Sequence, residues 1–187
     1  MSDTNLAELV RQSRDGNSQA VEALVQSCLP MTFRLALSIL DDQDEADDVA
    51  QDALIRALRA IPTYRAEASF QTWLYRITVN ICLGKLRKRR ARERLSTLLT
   101  DLFRQERKDN TRPEGQIIQN QAAYNLFKVI NSLDTKYRLP IILRYYQELP
   151  IAQIAQIINV SERTVHNRLK IAHDSIRNAL GEIDASD

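Results

Sequence analysis

The sequence predicts an all-α protein made of two small helical domains joined by a flexible linker. Three observations predict it. Apolar residues recur at spacings of three and four along nearly the whole chain, the period of a helix with one buried face. Turn formers are scarce, with 4 Gly and 5 Pro in 187 residues, which disfavours turn-rich β architectures. The period fails once, at 107–115 (RKDNTRPEG), a polar stretch with helix breakers that reads as a linker. Residues 5–95 are therefore expected to form the first domain, 96–118 the linker and 119–183 the second domain.

The elements follow in order. Leu6, Leu9 and Val10 start a first helix, and Asp15-Gly16-Asn17-Ser18 is a turn in which Ser18 is expected to cap the next helix. That helix carries Ala20, Ala23, Leu24 and the apolar run 31–40. The acids of 41–44 end it and open another. Its stripe is Ala46, Val49, Ala50, Ala53, Leu54, Ala57, Leu58 and Ile61, and Pro62 stops it. Residues 63–69 are a loop. A further helix begins near Phe70 and runs through Trp73, Ile77 and Ile81 into a basic block. Leu95, Leu98, Leu99, Leu102 and Phe103 extend a stripe with no evident domain around it. A second helical unit spans about 116 to 183.

The formal net charge of +2 hides a segregation: acid is packed into 41–52 and base into 85–94. Opposite blocks in one chain suggest two partners, or two halves of one interface. Cys28 and Cys82 are far apart, and His166 and His173 both lie near the C-terminus, so no metal site is expected. The cysteines read as small buried hydrophobes in a reducing compartment. The N-terminal MSDTNLAEL has neither a basic nor an apolar signal region. No apolar run is expected to reach the ~18 residues of a membrane span. Paired catalytic carboxylates, a Gly-rich phosphate loop, an HExxH and a nucleophile motif are all missing from the sequence, so an enzyme is not expected, nor a cofactor or a small-molecule substrate.

The strongest local signal is 149–169 (LPIAQIAQIINVSERTVHNRL). Ile151, Ile154, Ala155 and Ile158 make one face of a short helix, with Ala155 small where a second helix crosses. Asn159 tolerates the left-handed conformation that ends a helix. Ser161 then caps the next helix, Glu162 suits its first turn, and Val160 with Val165 forms a hydrophobic staple. The second helix buries Val165, Leu169, Ala172 and Ile176. Its other face offers Arg163, Thr164, His166, Asn167 and Lys170, with Arg168 at the boundary. Arg, Lys and Asn pair with base edges in the major groove, and Thr, Arg and Lys hold phosphates. The pattern is a helix-turn-helix with a recognition helix.

The first half carries two further faces. Asp44, Asp47, Asp48, Gln51 and Asp52 lie opposite an apolar stripe. Capping explains acids in a first turn, but Asp48, Gln51 and Asp52 lie beyond it and suit docking on a basic partner. Downstream, Tyr64, Phe70, Trp73 and Tyr75 lie close to Arg65, Arg76, Lys85, Arg87 and Lys88. Aromatics among cations suit single-stranded nucleic acid, at about 1–3 kcal/mol per stacked base. Phe70 and Trp73 are better read as core, which leaves the loop 64–69 with Arg76, Ile77 and Asn80 to read extruded bases. The block from Lys85 to Arg94 predicts phosphate binding with strong salt dependence.

Taken in this order, 44–58 (DEADDVAQDALIRAL), 70–80 (FQTWLYRITVN), the basic run, 133–146 (LDTKYRLPIILRYY) and the helix-turn-helix resemble the extracytoplasmic-function (ECF) sigma factors of bacterial RNA polymerase. The resemblance implies a specificity subunit that binds core polymerase and directs it to promoters, commonly under control of an anti-sigma factor. It assigns Asp47, Asp48, Gln51, Asp52 and Leu54 to core-polymerase contact. It assigns Tyr64, Arg65, Ser69, Arg76, Ile77, Asn80, Lys85, Arg87 and Lys88 to recognition and melting of the −10 element. It assigns Ser161, Arg163, Thr164, His166, Asn167, Arg168 and Lys170 to the duplex −35 element. Arg163 stands where many relatives carry a small residue and His173 where arginine is common. The implied partners are polymerase, promoter DNA and an anti-sigma factor, with a cytoplasmic location and no membrane insertion. The competing reading is a stand-alone helix-turn-helix regulator, which leaves the acidic helix and the aromatic-basic segment without a role.

Overall fold

The computed structural model describes residues 3–103 and 121–184, all helices and connections with no strand among them. The linker at 107–115, the expected domain start near 119 and the side chains of the leucine stripe lie outside the described residues.

The first module comprises α1 (Asp3–Arg14), α2 (Ser18–Leu40), α3 (Gln43–Ala60), a 3-10 turn (Ile61–Thr63) and α4 (Phe70–Phe103). Helix α2 is central and packs on α1, α3 and α4. Its cap differs from the sequence expectation. Asn17 is the N-cap, its Oδ1 accepting from the amides of Gln19 and Ala20, and Ser18 is already helical. Both types cap well, and Asn holds the extended conformation one residue earlier. Helix α2 also corrects the reading of apolar runs. With only Glu22 and Arg34 charged across 23 residues, it is long and apolar enough to cross a membrane by length and composition. Here it is a core helix: Leu24, Cys28, Leu35 and Ile39 are buried between its neighbours. Asp41 ends it in the left-handed region (φ 56°), and Asp42 caps α3 by accepting from the Glu45 amide at 2.9 Å.

The second module comprises α5 (Gln121–Ser132), α6 (Thr135–Ile141), a π-helical turn (Ile142–Tyr146), α7 (Ile151–Ile158) and α8 (Glu162–Asp184). Pro140, inside α6, has no N–H to donate. The wider turn that follows closes with the Gln147 amide on the Ile142 carbonyl at 3.2 Å. It buries Ile142 and Leu143 and leaves Tyr145 and Tyr146 exposed.

Two apolar clusters hold the molecule together. One belongs to the first module: Leu6, Val10, Leu24, Cys28, Leu54, Phe70 and Leu74 are among its members. The other is shared. Leu35, Ile39, Val49, Tyr75, Val79 and Cys82 of the first module join Leu143, Ile154, Ile157, Val165 and Leu169 of the second. The modules meet chiefly where α7 packs on α4.

Candidate nucleic-acid interface

The helix-turn-helix forms as its residues dictate. Asn159 takes φ 53° and ψ 55°, its amide bonding back to the Ala155 carbonyl, and the Val160 amide reaches the same carbonyl at 3.0 Å. Ser161 caps α8, its Oγ accepting from the Thr164 amide at 3.2 Å and lying 2.8 Å from the Thr164 hydroxyl. Val165 is fully buried, and Val160 packs against the same cluster. The opposite face of α8 exposes Arg163, His166, Asn167 and Lys170, with Thr164 and Arg168 half-buried. Ser161 is exposed, with its hydroxyl occupied by the cap. The sequence thus places this face as the structure has it.

Beside it lies a cationic recess that the sequence reading did not assemble. Arg144, His166, Lys170, His173 and Arg177 line it, with Asp174 the one acid. Arg144 comes from the π-helical turn, far in sequence, and is steered by its bond to the Leu149 carbonyl at 2.9 Å. The Tyr145 hydroxyl lies 3.0 Å from His173 Nε2. The signal was present as three basic residues at helical spacing on α8. The contribution of Arg144 and Tyr145 depends on a turn geometry that periodicity does not reveal.

On α3, Asp47, Asp48 and Gln51 are exposed and Asp52 is half-exposed. They are partly paired among themselves and their neighbours. Gln51 donates to Asp47 at 2.8 Å, and Arg56 bonds Asp52 at 2.8 Å. Such exposed pairs contribute little to stability, so the face remains available to a partner. Leu54 is a correction. It is 6% exposed and lies in the first module's own cluster with Leu24 and Phe70. It belongs to the apolar stripe of α3, so its side chain is not on the acidic face. Ile55, next along and 48% exposed, stands outward in its place.

The aromatic segment is divided between core and surface. Tyr64, Phe70 and Trp73 form a cluster with ring centroids 5.1–5.6 Å apart. Phe70 is buried, Trp73 half-buried. The Tyr64 hydroxyl donates to the Ala68 carbonyl at 2.6 Å, closing the loop on itself. Ser69 caps α4 by accepting from the Thr72 amide at 3.2 Å. Ala66, in the same loop, takes φ 57°, a conformation costly for an L-residue and concentrated at ligand-binding loops. Arg65, Arg76, Asn80, Arg87 and Lys88 are exposed, and Ile77 is half-buried. Lys85 is different: it bridges to Asp48 at 3.3 Å, so the acidic and basic blocks touch within one module.

A second cleft, between Leu6, Val10, Arg11 and Arg14 of α1 and residues of the loop 62–70, widens this surface with cations from α1. Arg14 is steered there by a bond to the Pro62 carbonyl at 3.1 Å, while Arg11 pairs with Glu8 at 2.7 Å and holds its carboxyl down at about 2. The thiols are chemically quiet. Burial pushes Cys28 up to about 11 and Cys82 up to about 12. Among the described residues, no group of three or more His, Cys, Asp or Glu is placed to hold a metal ion.

Comparison with known proteins gives a consistent result. Residues 24–92 match the family model of sigma-70 region 2, and residues 125–172 match that of sigma-70 region 4. The chain is 28% identical over 179 residues to the ECF RNA polymerase sigma factor SigW of Bacillus subtilis, covering 93% of this chain and 96% of the relative. It is 29% identical over 179 residues to the ECF RNA polymerase sigma-E factor of Escherichia coli K12, covering 92% of each. The fold is shared with the sigma factor RpoE of Bartonella quintana, solved with the anti-sigma factor NepR. The TM-score is 0.62 at 22% identity, covering 86% of this chain and 96% of that one. It is shared too with CnrH, solved with the cytosolic domain of CnrY, at a TM-score of 0.64 and 22% identity, covering 93% and 96%.

Proposed function

The chain belongs to the sigma-70 family, in its ECF group, and from that membership we propose a division of labour among its surfaces. The chain is a sigma factor: it directs RNA polymerase to promoters. Residues 5–95 act as the polymerase-binding and −10-melting domain, 96–118 as the tether and 119–183 as the −35-reading domain. Asp47, Asp48, Gln51 and Asp52, with Ile55 in place of Leu54, contact core polymerase. The loop 64–69 with Arg76, Ile77 and Asn80 captures extruded bases, which offsets the few kcal/mol of unpairing. Lys85, Arg87 and Lys88 hold phosphates. Arg163, Thr164, His166, Asn167, Arg168 and Lys170 read the −35 duplex, with Ser161 fixing the start of their helix.

No bond is made or broken by the chain in this scheme; the chemistry belongs to the polymerase. It acts in the cytoplasm, beside that enzyme, and an anti-sigma factor restrains it. The observation that carries the reading is the outward acidic face of α3, for which a regulator acting alone has no use.

The test is a titration of the labelled chain with bacterial core RNA polymerase, read by fluorescence anisotropy at two salt concentrations. Tight binding is expected, weakened at least tenfold by Asp48→Lys with Asp52→Lys. No binding to polymerase, with specific duplex binding by the chain alone, identifies an independent regulator instead.

A further inference from the structure

The second module does not stand clear of the first. Helix α7 packs on α4, and the shared cluster places Tyr75, Val79 and Cys82 with Ile154 and Ile157. Four hydrogen bonds cross the boundary. The Tyr75 hydroxyl donates to Gln147 Oε1 at 3.1 Å, and the Arg138 guanidinium to the Ile39 carbonyl at 3.0 Å. Arg90 donates to the Thr135 hydroxyl at 2.8 Å, and Asn131 to Asp41 at 3.3 Å. At the far end, Gln156 and Asn159 line one cleft with Tyr64, Arg65 and Arg76.

We propose that this contact is an autoinhibitory latch: the free chain is closed, and its two DNA-reading faces engage a promoter only after the modules part. The inference rests on the sigma-factor reading above. Its basis is geometric. Asn159 immediately precedes the cap of the recognition helix, so in this form that helix begins within a cleft's width of the −10 loop. Elements named −10 and −35 are separated by about 25 base pairs, or about 85 Å of duplex at ~3.4 Å per step. One rigid closed molecule cannot reach both.

The latch is also built to yield. Its polar part is neutral apart from Asp41, Arg90 and Arg138, and these two cations disfavour each other. Burial is the main force holding the Arg138 guanidinium below its usual range, the nearby Arg90 charge the next, and Asp41 opposes them. Arg90 sits in the basic run, where DNA phosphate competes with Thr135 for the same N–H groups. Phosphate binding and docking therefore draw on one side chain.

The experiment uses the full chain with donor and acceptor dyes on Glu67→Cys and Gln156→Cys, two positions lining the same cleft. The native thiols, buried and shifted far up, stay unlabelled near neutral pH. Energy transfer is expected to be high in the free chain and to fall close to zero with core polymerase and promoter DNA. Tyr75→Phe with Arg138→Gln removes two of the crossing bonds. It is expected to raise the open fraction roughly ten- to a hundredfold, at about one kcal/mol per bond, and to tighten polymerase binding accordingly. Tyr75→Phe alone keeps the buried volume and gives the same sign at about fivefold. Low transfer in the free chain with tight polymerase binding overturns the latch alone. So does transfer that stays high in the promoter complex, or an opened variant that binds polymerase no better. High transfer in a chain that ignores polymerase sinks the sigma-factor reading and the latch with it.

Discussion

The two helices of the helix-turn-helix are neighbours built to opposite rules. Helix α8 is one-sided: Val165, Leu169 and Ala172 are buried, while Arg163, His166, Asn167 and Lys170 face out. Helix α7 is apolar over most of its circumference, and its buried set extends to Ile157, outside the stripe of Ile151, Ile154, Ala155 and Ile158. The difference follows from what each must cover. Helix α8 lies on the second module and keeps a face for a ligand. Helix α7 packs on α8 and also on α4. A single stripe thus marks a helix that reads something outside, and a widened one marks a helix that also holds another module.

The largest expected effect tests the widened stripe. Ile157→Ala should cost about 2–4 kcal/mol by loss of buried methyl groups and a residual cavity, and half-buried Ile158→Ala about half of that. Chemical denaturation of the full chain measures both. A larger loss at Ile158 breaks the comparison, because α7 would then be buried on one side only.

Next comes the open face of α8. Arg163→Ala should weaken −35 binding by about 1–3 kcal/mol and relax preference at one base position, whereas Lys170→Ala should weaken all sequences alike and reduce the salt slope by about one. Equilibrium binding of the polymerase complex to promoter variants separates the two. Unchanged sequence preference in the Arg163 variant would place that side chain off the bases.

The cysteines sharpen the contrast between shared and private cores, since Cys82 lies in the first and Cys28 in the second. Both folded thiols titrate above the ordinary value of 9.0, at about 12 and about 11. Above pH 9 the unfolded chain has lost thiol protons that the folded chain keeps. Stability should therefore fall as pH rises from 9 toward 11, by at most about 1.4 kcal/mol per pH unit per thiol. Cys82→Ala and Cys28→Ala should each flatten part of that slope in urea melts followed against pH. A slope untouched by both substitutions assigns it to other groups.

The smallest effect lies at the turn between the two helices. Asn159→Ala should cost about 1 kcal/mol, because a Cβ without a local polar partner disfavours the left-handed region, while Asn159→Gly should be nearly neutral. Equal losses would mean that the Asn side chain itself holds the turn.

Much of this was legible in the residues. The helices, the left-handed Asn159, the Ser161 cap and the outward set on α8 follow from local rules, since each depends on neighbours within a few positions. The errors have physical causes too. Leu54 was assigned outward by family resemblance although it lies in the apolar stripe, and the stripe prevails. The apolar length of α2 was underestimated because Pro30 divides it visually, yet a helix surrounded by three others tolerates one missing N–H. The cationic recess around His173 and the contact of α7 with α4 were not legible, because they join segments tens of residues apart through the π-helical turn and a long-range docking.

Helix α4 has a consequence for reach. It runs unbroken from the −10 loop to Phe103, 34 residues and so about 50 Å, extending past the basic block. Only seventeen residues separate it from Gln121, a contour length of at most about 60 Å. Neither span alone covers about 85 Å of duplex, so the helix must serve as a rigid arm and the tether as its cord. The arm fixes a direction and the cord a maximum distance. Promoter spacing is then bounded from above by chain length, and shortening the tether should exclude the widest spacings first.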